Sequence, residues 1–361
     1  MTTKGNWDIY IAFFEMGFKI INTHGVLTYI TPDKWISKPF GDALRSATIN
    51  NIYRIVRSGR DVFESSNVDS IISFFSNTKQ SLLTILDSEK DQFVFKRQIN
   101  KNTLRSPFYL DFLFSEHIEI LLKIGSIQGT ISNLAYCENA CATSDAYKLK
   151  PLVKETNGVF NNGMHLKIVN TGTIGKYSAK WGRREMTYLG NKYLYPLVDR
   201  RKFLQLFQNS YGIKSVQPKI IIKGLNLLDA CLDSEGVIIP GKSTLIIADS
   251  DENKLMFLLS IINSHIAFFY LKERYPASSY NLGTSFTKEM INNLPLPSVS
   301  DGKIKPFVTL IHQILAVTKE EDFLSNSTKQ ATVKKLEAQI DQLVYQLYGI
   351  TPEEIAVIEG K

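Results

Sequence analysis

Three cysteines in 361 residues, Cys137, Cys141 and Cys231, are too few and too odd in number for a disulfide framework, and they point to a reducing compartment. Cys137 and Cys141 lie four apart with no second Cys or His pair nearby, short of the four ligands of a structural zinc site. Buried thiols and no metal are the expectation. The five histidines (His24, His117, His165, His265, His312) are scattered, in no metal-ligand spacing. No paired carboxylates and no nucleophile beside a base stand out. Long apolar runs are also missing. The longest, Leu255–Leu271, is shorter than the roughly 20 residues of a membrane span, is interrupted by Ser260, Asn263, Ser264 and His265, and reads as one buried helix with His265 a satisfied core histidine. The opening MTTKGNWDIY has no apolar signal region. A cytoplasmic protein without a membrane partner is expected.

A glycine-rich turn after a first strand, where a nucleotide cofactor would be cradled, is absent as well. Gly236–Ser243 (GVIIPGKS) does fit the phosphate-loop pattern letter for letter. That loop must open a helix, whose N-terminal amides hold the phosphates. Here its interior is β-branched and Thr244–Ala248 reads as a strand. A hairpin turning at Pro240-Gly241 is the expectation, with Lys242 left to face a DNA phosphate.

What is present is positive charge. Hydrophobic residues make up 44% and charged residues 21%, which suffices for real cores, and the net charge is +7 with a pI near 9.0. Such a balance favours nucleic acid or another anionic surface as partner. The charge concentrates in Lys176–Lys202, KYSAKWGRREMTYLGNKYLYPLVDRRK, with eight Lys or Arg against Glu185 and Asp199, and with Tyr177, Trp181, Tyr188, Tyr193 and Tyr195 among them. Cations neutralise phosphates and release counterions, while amide and aromatic groups can touch base edges. A solvated basic loop with ordinary core tyrosines is the competing reading. Lys223 at the end of KIIIK, and Arg274 beside the polar loop Tyr275–Tyr280, would add loop-borne cations to the same β-rich domain.

Length suggests two or three domains. Asp8–Ile21 has helical spacing with Ile9, Phe13, Met16 and Ile20 inward, followed by a strand at Gly25–Pro32, a helix at Pro39–Ala47, and strands at Ile52–Val56 and Val68–Phe75. Helix and strand in alternation predict an α/β sheet over residues 1–90, with too few strands for a complete doubly wound domain. Residues 91–126 read as a linker (91–110) and a helix (Phe112–Lys123). Residues 127–300 read as an α+β, β-rich domain with strands at Leu166–Asn170, Tyr193–Val198, Lys219–Lys223, Val237–Ile239 and Leu245–Ala248. Residues 301–361 read as a helical hairpin: Phe307–Val317, then a seam of Val333, Leu336, Ile340, Leu343 and Leu347, then a short helix capped by Thr351 with Glu354. The seam either buttresses the β-rich domain or pairs with a partner.

The ordered set of pieces resembles a known family. Asp8, Tyr10, Phe13, Gly25, Ile30, Pro32, Trp35, Gly41, Leu44 and Arg45 match the segment downstream of the catalytic motif in TaqI-like and type IIG restriction-modification N6-adenine DNA methyltransferases. NTGTIGKYSAKWG, TYLG, PKIIIKGLN, INSHIAFFYLK and NLPLP look like the TaqI-like C-terminal specificity domain, and LEAQIDQLVYQLYGITPEEI its helical end. The family's S-adenosylmethionine-binding loop and Asn-Pro-Pro-Tyr tetrapeptide do not occur. The resemblance therefore implies the tail of a truncated methyltransferase sheet followed by a target-recognition domain. It implies double-stranded DNA as partner, no catalytic residue on this chain, and no cofactor bound by it alone. S-adenosylmethionine would serve the complete enzyme, with a separate methyltransferase or endonuclease part. A specificity subunit pairing through its C-terminal helices with a methylating subunit is the alternative. By the same resemblance Phe63 would stack on the flipped base. Lys176, Tyr177, Lys180, Trp181, Arg183, Arg184, Lys192, Arg200, Lys223, Lys242 and Arg274 would face DNA.

Overall fold

The computed structural model describes residues 7–59, 69–89, 92–280 and 283–360. Phe63 lies outside them. The chain divides into two units, Met1–Leu122 with Glu273–Ala277, and Lys123–Lys272 with Ser278–Lys361.

In the first unit, α1 (Tyr10–Ile20) carries two apolar stripes at helical spacing, and the sheet takes the one that sequence spacing does not favour. Ile11, Phe14 and Gly17 are buried, whereas Ile9, Phe13, Met16 and Ile20 are 66%, 50%, 57% and 74% exposed. The reason is close approach. A Cβ on Gly17 would stand 2.8 Å from the Leu27 methyls, so only a residue without one lets α1 settle onto β1 (Val26–Pro32). Phe14 then meets Tyr29, Trp35 and Phe75 with ring centroids 5.0, 5.3 and 5.5 Å apart. After α2 (Asp42–Thr48) come β2 (Ile52–Gly59), β3 (Ser70–Ser76), β4 (Leu82–Glu89) and β5 (Gln92–Asn100). They form a five-stranded sheet in the order β1-β3-β2-β4-β5, antiparallel except for the β2–β4 pair.

The sheet has two more strands than the sequence suggested, and residues 92–100 are one of them, not part of a linker. β5 is an edge strand with Phe93 and Phe95 exposed and Lys96 and Arg97 interspersed, so its alternation is masked by the charges that edges tend to carry. Its end is tied in by Lys101, whose buried ammonium donates to the carbonyls of Ile49 (2.7 Å) and Ile52 (2.8 Å). Burial pushes that ammonium's pKa down to about 8.

The division between units falls within α3 (Ile118–Gly125). The second unit continues with β6 (Cys137–Asn139), α4 (Thr143–Leu149), β7 (Lys154–Glu155), β8 (His165–Val169), β9 (Ile174–Gly175), β10 (Ser178–Ala179), β11 (Met186–Tyr188), β12 (Asn191–Tyr193) and β13 (Pro196–Asp199). Next come α5 (Arg200–Leu206), α6 (Ser210–Ser215), β14 (Lys219–Lys223), β15 (Ala230–Asp233), β16 (Ile238–Pro240) and β17 (Thr244–Ala248). Two four-stranded sheets result, β16-β8-β13-β7 and β15-β14-β17-β6. The expected hairpin at Pro240-Gly241 is therefore wrong: β16 runs parallel to β8 in one sheet, and β17 pairs with β14 and β6 in the other. The chain crosses between sheets where the phosphate-loop letters lie, and no helix follows. β14 has three consecutive isoleucines at its centre because it is an inner strand of its sheet, buried on both faces. At its start Lys219 is fully buried in an ion pair with Asp233, which also accepts the backbone N–H groups of Val237 (3.1 Å) and Ile238 (2.9 Å).

The apolar run at 255–271 is two helices, α7 (Glu252–Ile262) and α8 (His265–Arg274), bent by 60°. Asn263 forces the break. Its side chain accepts from the N–H of Ala230 (2.9 Å) and donates to that residue's carbonyl (3.0 Å), acting as a strand partner to β15. Asp341 then accepts from the N–H of His265 (3.0 Å) and bonds its Nδ1 (2.7 Å). His265 is thus a half-exposed residue at a helix start, not a core histidine. Among the described residues no single helix is long and apolar enough to cross a membrane.

Beyond α9 (Lys288–Asn292), the tail is α10 (Asp301–Thr318), α11 (Ser327–Tyr348) and α12 (Pro352–Ile358). α10 packs on α7, with Phe257 and Phe307 edge to face at 5.3 Å, and α11 packs on α10. On α11 the buried stripe is Val333, Ile340, Asp341, Val344, Tyr345 and Tyr348, while Leu336, Leu343 and Leu347 of the expected seam are half-buried. The stripe is rotated because the tail buries against its own unit.

Candidate nucleic-acid interface

A short β-ribbon forms the centre of the basic stretch. β11 and β12 are joined by Leu189 and Gly190 at φ +47° and +90°, the left-handed pair that a two-residue hairpin requires. Cross-strand partners share a face. Met186 and Tyr193 pair inward and join a buried cluster with Tyr188, Ile168 and Phe203. The Tyr188 hydroxyl donates to the carbonyl of Ala146 (3.2 Å). Thr187 and Lys192 pair outward, both exposed, whereas Asn191 pairs with Tyr188 on the inner face and donates to the Tyr193 hydroxyl (3.2 Å) at the exposed turn, and Arg184 is exposed ahead of β11. Lys192 has an ion pair with Glu185 at 3.0 Å.

Two loops adjoin this ribbon. Asn170 donates to the carbonyl of Thr187 (2.8 Å) and accepts from the N–H of Gly172 (3.0 Å), holding the turn after β8 against β11. Gly241 donates its N–H to Val169 (2.7 Å) and lies so close that a Cβ would touch the Tyr188 ring at 3.4 Å, which carries exposed Lys242 to the same edge. Lys150 donates to the Leu189 carbonyl in the turn (2.8 Å). Thr187 and Lys192 thus form the outer face of a ribbon on an apolar base, with exposed Arg184, Asn191 and Lys242 around its borders and Asn170 bonded to its backbone. Amide, hydroxyl and ammonium groups on a two-stranded ribbon are what a DNA major groove admits and can read.

Other candidates from the sequence are turned to structural work. Tyr177 is only 3% exposed, with φ +62° and its N–H donated to Ala230 (2.8 Å). Trp181 donates from Nε1 to the carbonyl of Pro196 (2.8 Å) and stacks edgewise on Tyr195 and Phe160. Arg183 donates to the carbonyls of Thr318, Lys319 and Glu320, each at 3.0 Å. Lys223 pairs with Asp229 at 3.6 Å in a mostly buried setting, and Arg200 reaches the Gly236 carbonyl. Lys176 is half-buried, its charge felt by Glu337 and His265. Lys180 is half-buried, its stem lying over Gly175. Arg274 falls in the first unit and not in the β-rich one. There its guanidinium lies 3.8 Å over Phe112 and near Tyr275.

Sequence reasoning missed Lys167. Its ammonium stands 4.3 Å from the Phe160 ring centroid and 4.9 Å from that of Trp181, in a cleft of about 860 Å³ that also includes Tyr195, Arg183, Asp233 and Glu235. Burial holds its pKa below the ordinary lysine value, partly offset by Glu235 and Asp233. Alternation along β8 would have set it apart from Leu166 and Ile168. Thr187 and Asn191 were missed as well, and the signal for them was the Leu-Gly turn between alternating segments.

The Eco57I restriction-modification methylase family model matches residues 1–63. No curated protein matches the chain. Among solved structures, the type IIL restriction-modification enzyme MmeI in complex with DNA is 12% identical, with a TM-score of 0.54 over 98% of this chain and 52% of that one. The type IIG restriction endonuclease BpuSI is 11% identical, with a TM-score of 0.37 over 96% of this chain and 50% of that one. The chain spans about half the length of these enzymes. It shares its fold with a restriction-modification enzyme, and its match to a methylase family lies in residues 1–63.

Proposed function

We propose that this chain reads double-stranded DNA for a restriction-modification N6-adenine methyltransferase, through a TaqI-like recognition domain in its second unit. The observation that carries this reading is the β11–β12 ribbon, apolar beneath, with Thr187 and Lys192 on its outer face and exposed Arg184, Asn191 and Lys242 around it. Phosphate-facing cations set affinity, and the neutral hydrogen-bonding groups between them select sequence. The methylase-family match at residues 1–63 and the fold shared with a DNA-bound enzyme support the setting. Methyl transfer would need S-adenosylmethionine and catalytic groups supplied by another polypeptide part, so the chain alone binds DNA and methylates nothing. The decisive experiment is fluorescence anisotropy with a labelled mixed-sequence duplex across a salt series. Replacing Arg184, Lys192 and Lys242 together by Gln should flatten the slope of log K against log salt by about 2–3. An unchanged slope would return the ribbon to a solvated surface, and adenine methylation by the chain with S-adenosylmethionine alone would remove the claim of dependence on another part.

A further inference from the structure

Arg183 and Arg184 are neighbours in the densest part of the basic stretch, yet only Arg184 is free to meet a ligand. The Arg183 guanidinium closes the C-terminal end of α10, taking the carbonyls of Thr318, Lys319 and Glu320 at 3.0 Å each. A helix leaves its last carbonyls without internal partners, and its C-terminus favours a cation. Arginine's planar fork holds several carbonyls in a fixed geometry, whereas lysine's ammonium is a point charge on a flexible stem. This bond set joins segments 135–137 residues apart in sequence.

The segment leading into the ribbon is pinned at successive points. Tyr177 is buried against β15, Trp181 is bonded to Pro196, and the Gly182 N–H donates to Leu194 at 2.9 Å. Glu155 accepts from the N–H groups of Leu194 and Tyr195, both at 2.8 Å, and fixes the strand on the far side of the ribbon. Arg183 is the side chain that ties this segment to the tail just before the exposed margin begins. The partner it grips, α10, is itself held on α7 through Phe257 and Phe307.

We infer that Arg183 is a positioning residue that clasps the helical tail to the base of the DNA-reading ribbon, so that the tail sets the ribbon's orientation. This rests on the reading of the ribbon as DNA-facing. The clasp itself is a separate, measurable contact.

The test compares Arg183→Gln, Arg183→Lys and Arg184→Gln in the full chain by amide hydrogen exchange and by duplex binding across salt. With Arg183→Gln, exchange across residues 180–193 should quicken roughly tenfold. DNA binding should weaken while its salt slope stays unchanged, because no phosphate contact is lost. Arg183→Lys should fall between, and it carries the test if the Gln variant does not fold. Arg184→Gln should lower the slope by about 1 and leave exchange as it was. Unchanged exchange in both Arg183 variants, or a slope reduced by about 1 in Arg183→Gln, overturns the clasp. Faster exchange in Arg183→Gln with no effect of any variant on DNA binding keeps the clasp and removes the DNA-facing reading instead.

Discussion

Asp111 has a buried Oδ1 without a hydrogen-bond partner, and its carboxyl is pushed up to about 6, by burial first and against the pull of Arg274. A carboxyl raised in the folded state takes up protons that the unfolded chain, with the ordinary value near 3.8, has released. Its contribution to stability is therefore full below about pH 4 and is lost as pH rises through 6. The gap corresponds to about 3 kcal/mol. Urea unfolding of wild type and Asp111→Asn should show their difference in stability changing by up to that amount between pH 4 and 7, with wild type losing ground as pH rises. A flat difference would mean the carboxyl titrates normally. The thiols give a second expectation at this scale. Cys137, Cys141 and Cys231 are buried, and burial raises all three, Cys141 to about 11 and Cys231 to about 12. A disulfide reagent should leave all three unmodified in the native chain and label them on unfolding.

The β11–β12 ribbon depends on its turn. Gly190 at φ +90° has open space around it, so a Cβ there would meet nothing, and only the backbone conformation opposes a side chain. Gly190→Ala should cost about 1 kcal/mol and weaken DNA binding together with the ribbon, read by thermal unfolding and anisotropy. At this scale the sequence was legible where the buried positions of a strand are mainly apolar. The spacing placed β1, β2, β3, β14 and β17 to within a few residues. It failed at β5, an edge strand whose alternation lies under Lys96 and Arg97, at β4, whose inward series of Leu83, Ile85 and Asp87 ends on a charge, and at α7–α8, where Asn263 bonds a strand and ends a helix that apolar content alone would continue. For the candidate interface, composition located the stretch but could not separate Arg184 from Arg183. That choice depends on carbonyls 135 or more residues away.

Over the whole molecule, the tail is part of the second unit's interior. Phe307, Ile311 and Ile314 are buried, and Phe307 lies against Phe257 of α7. Phe307→Ala should destabilise this unit by about 3–5 kcal/mol, and deleting residues 301–361 should leave it unable to unfold cooperatively, both measurable by calorimetry. Retention of a cooperative transition after the deletion would show the tail to be an appendage. The first unit contains a different consequence, in its first helix. Amphipathic reasoning would protect Ile9, Phe13, Met16 and Ile20 from polar replacement and treat Gly17 as expendable. With Gly17 against the Leu27 methyls and the four large residues facing outward, the tolerances are inverted. In a library of variants of α1, the apolar stripe is where substitutions should accumulate, and the glycine is where they should stop.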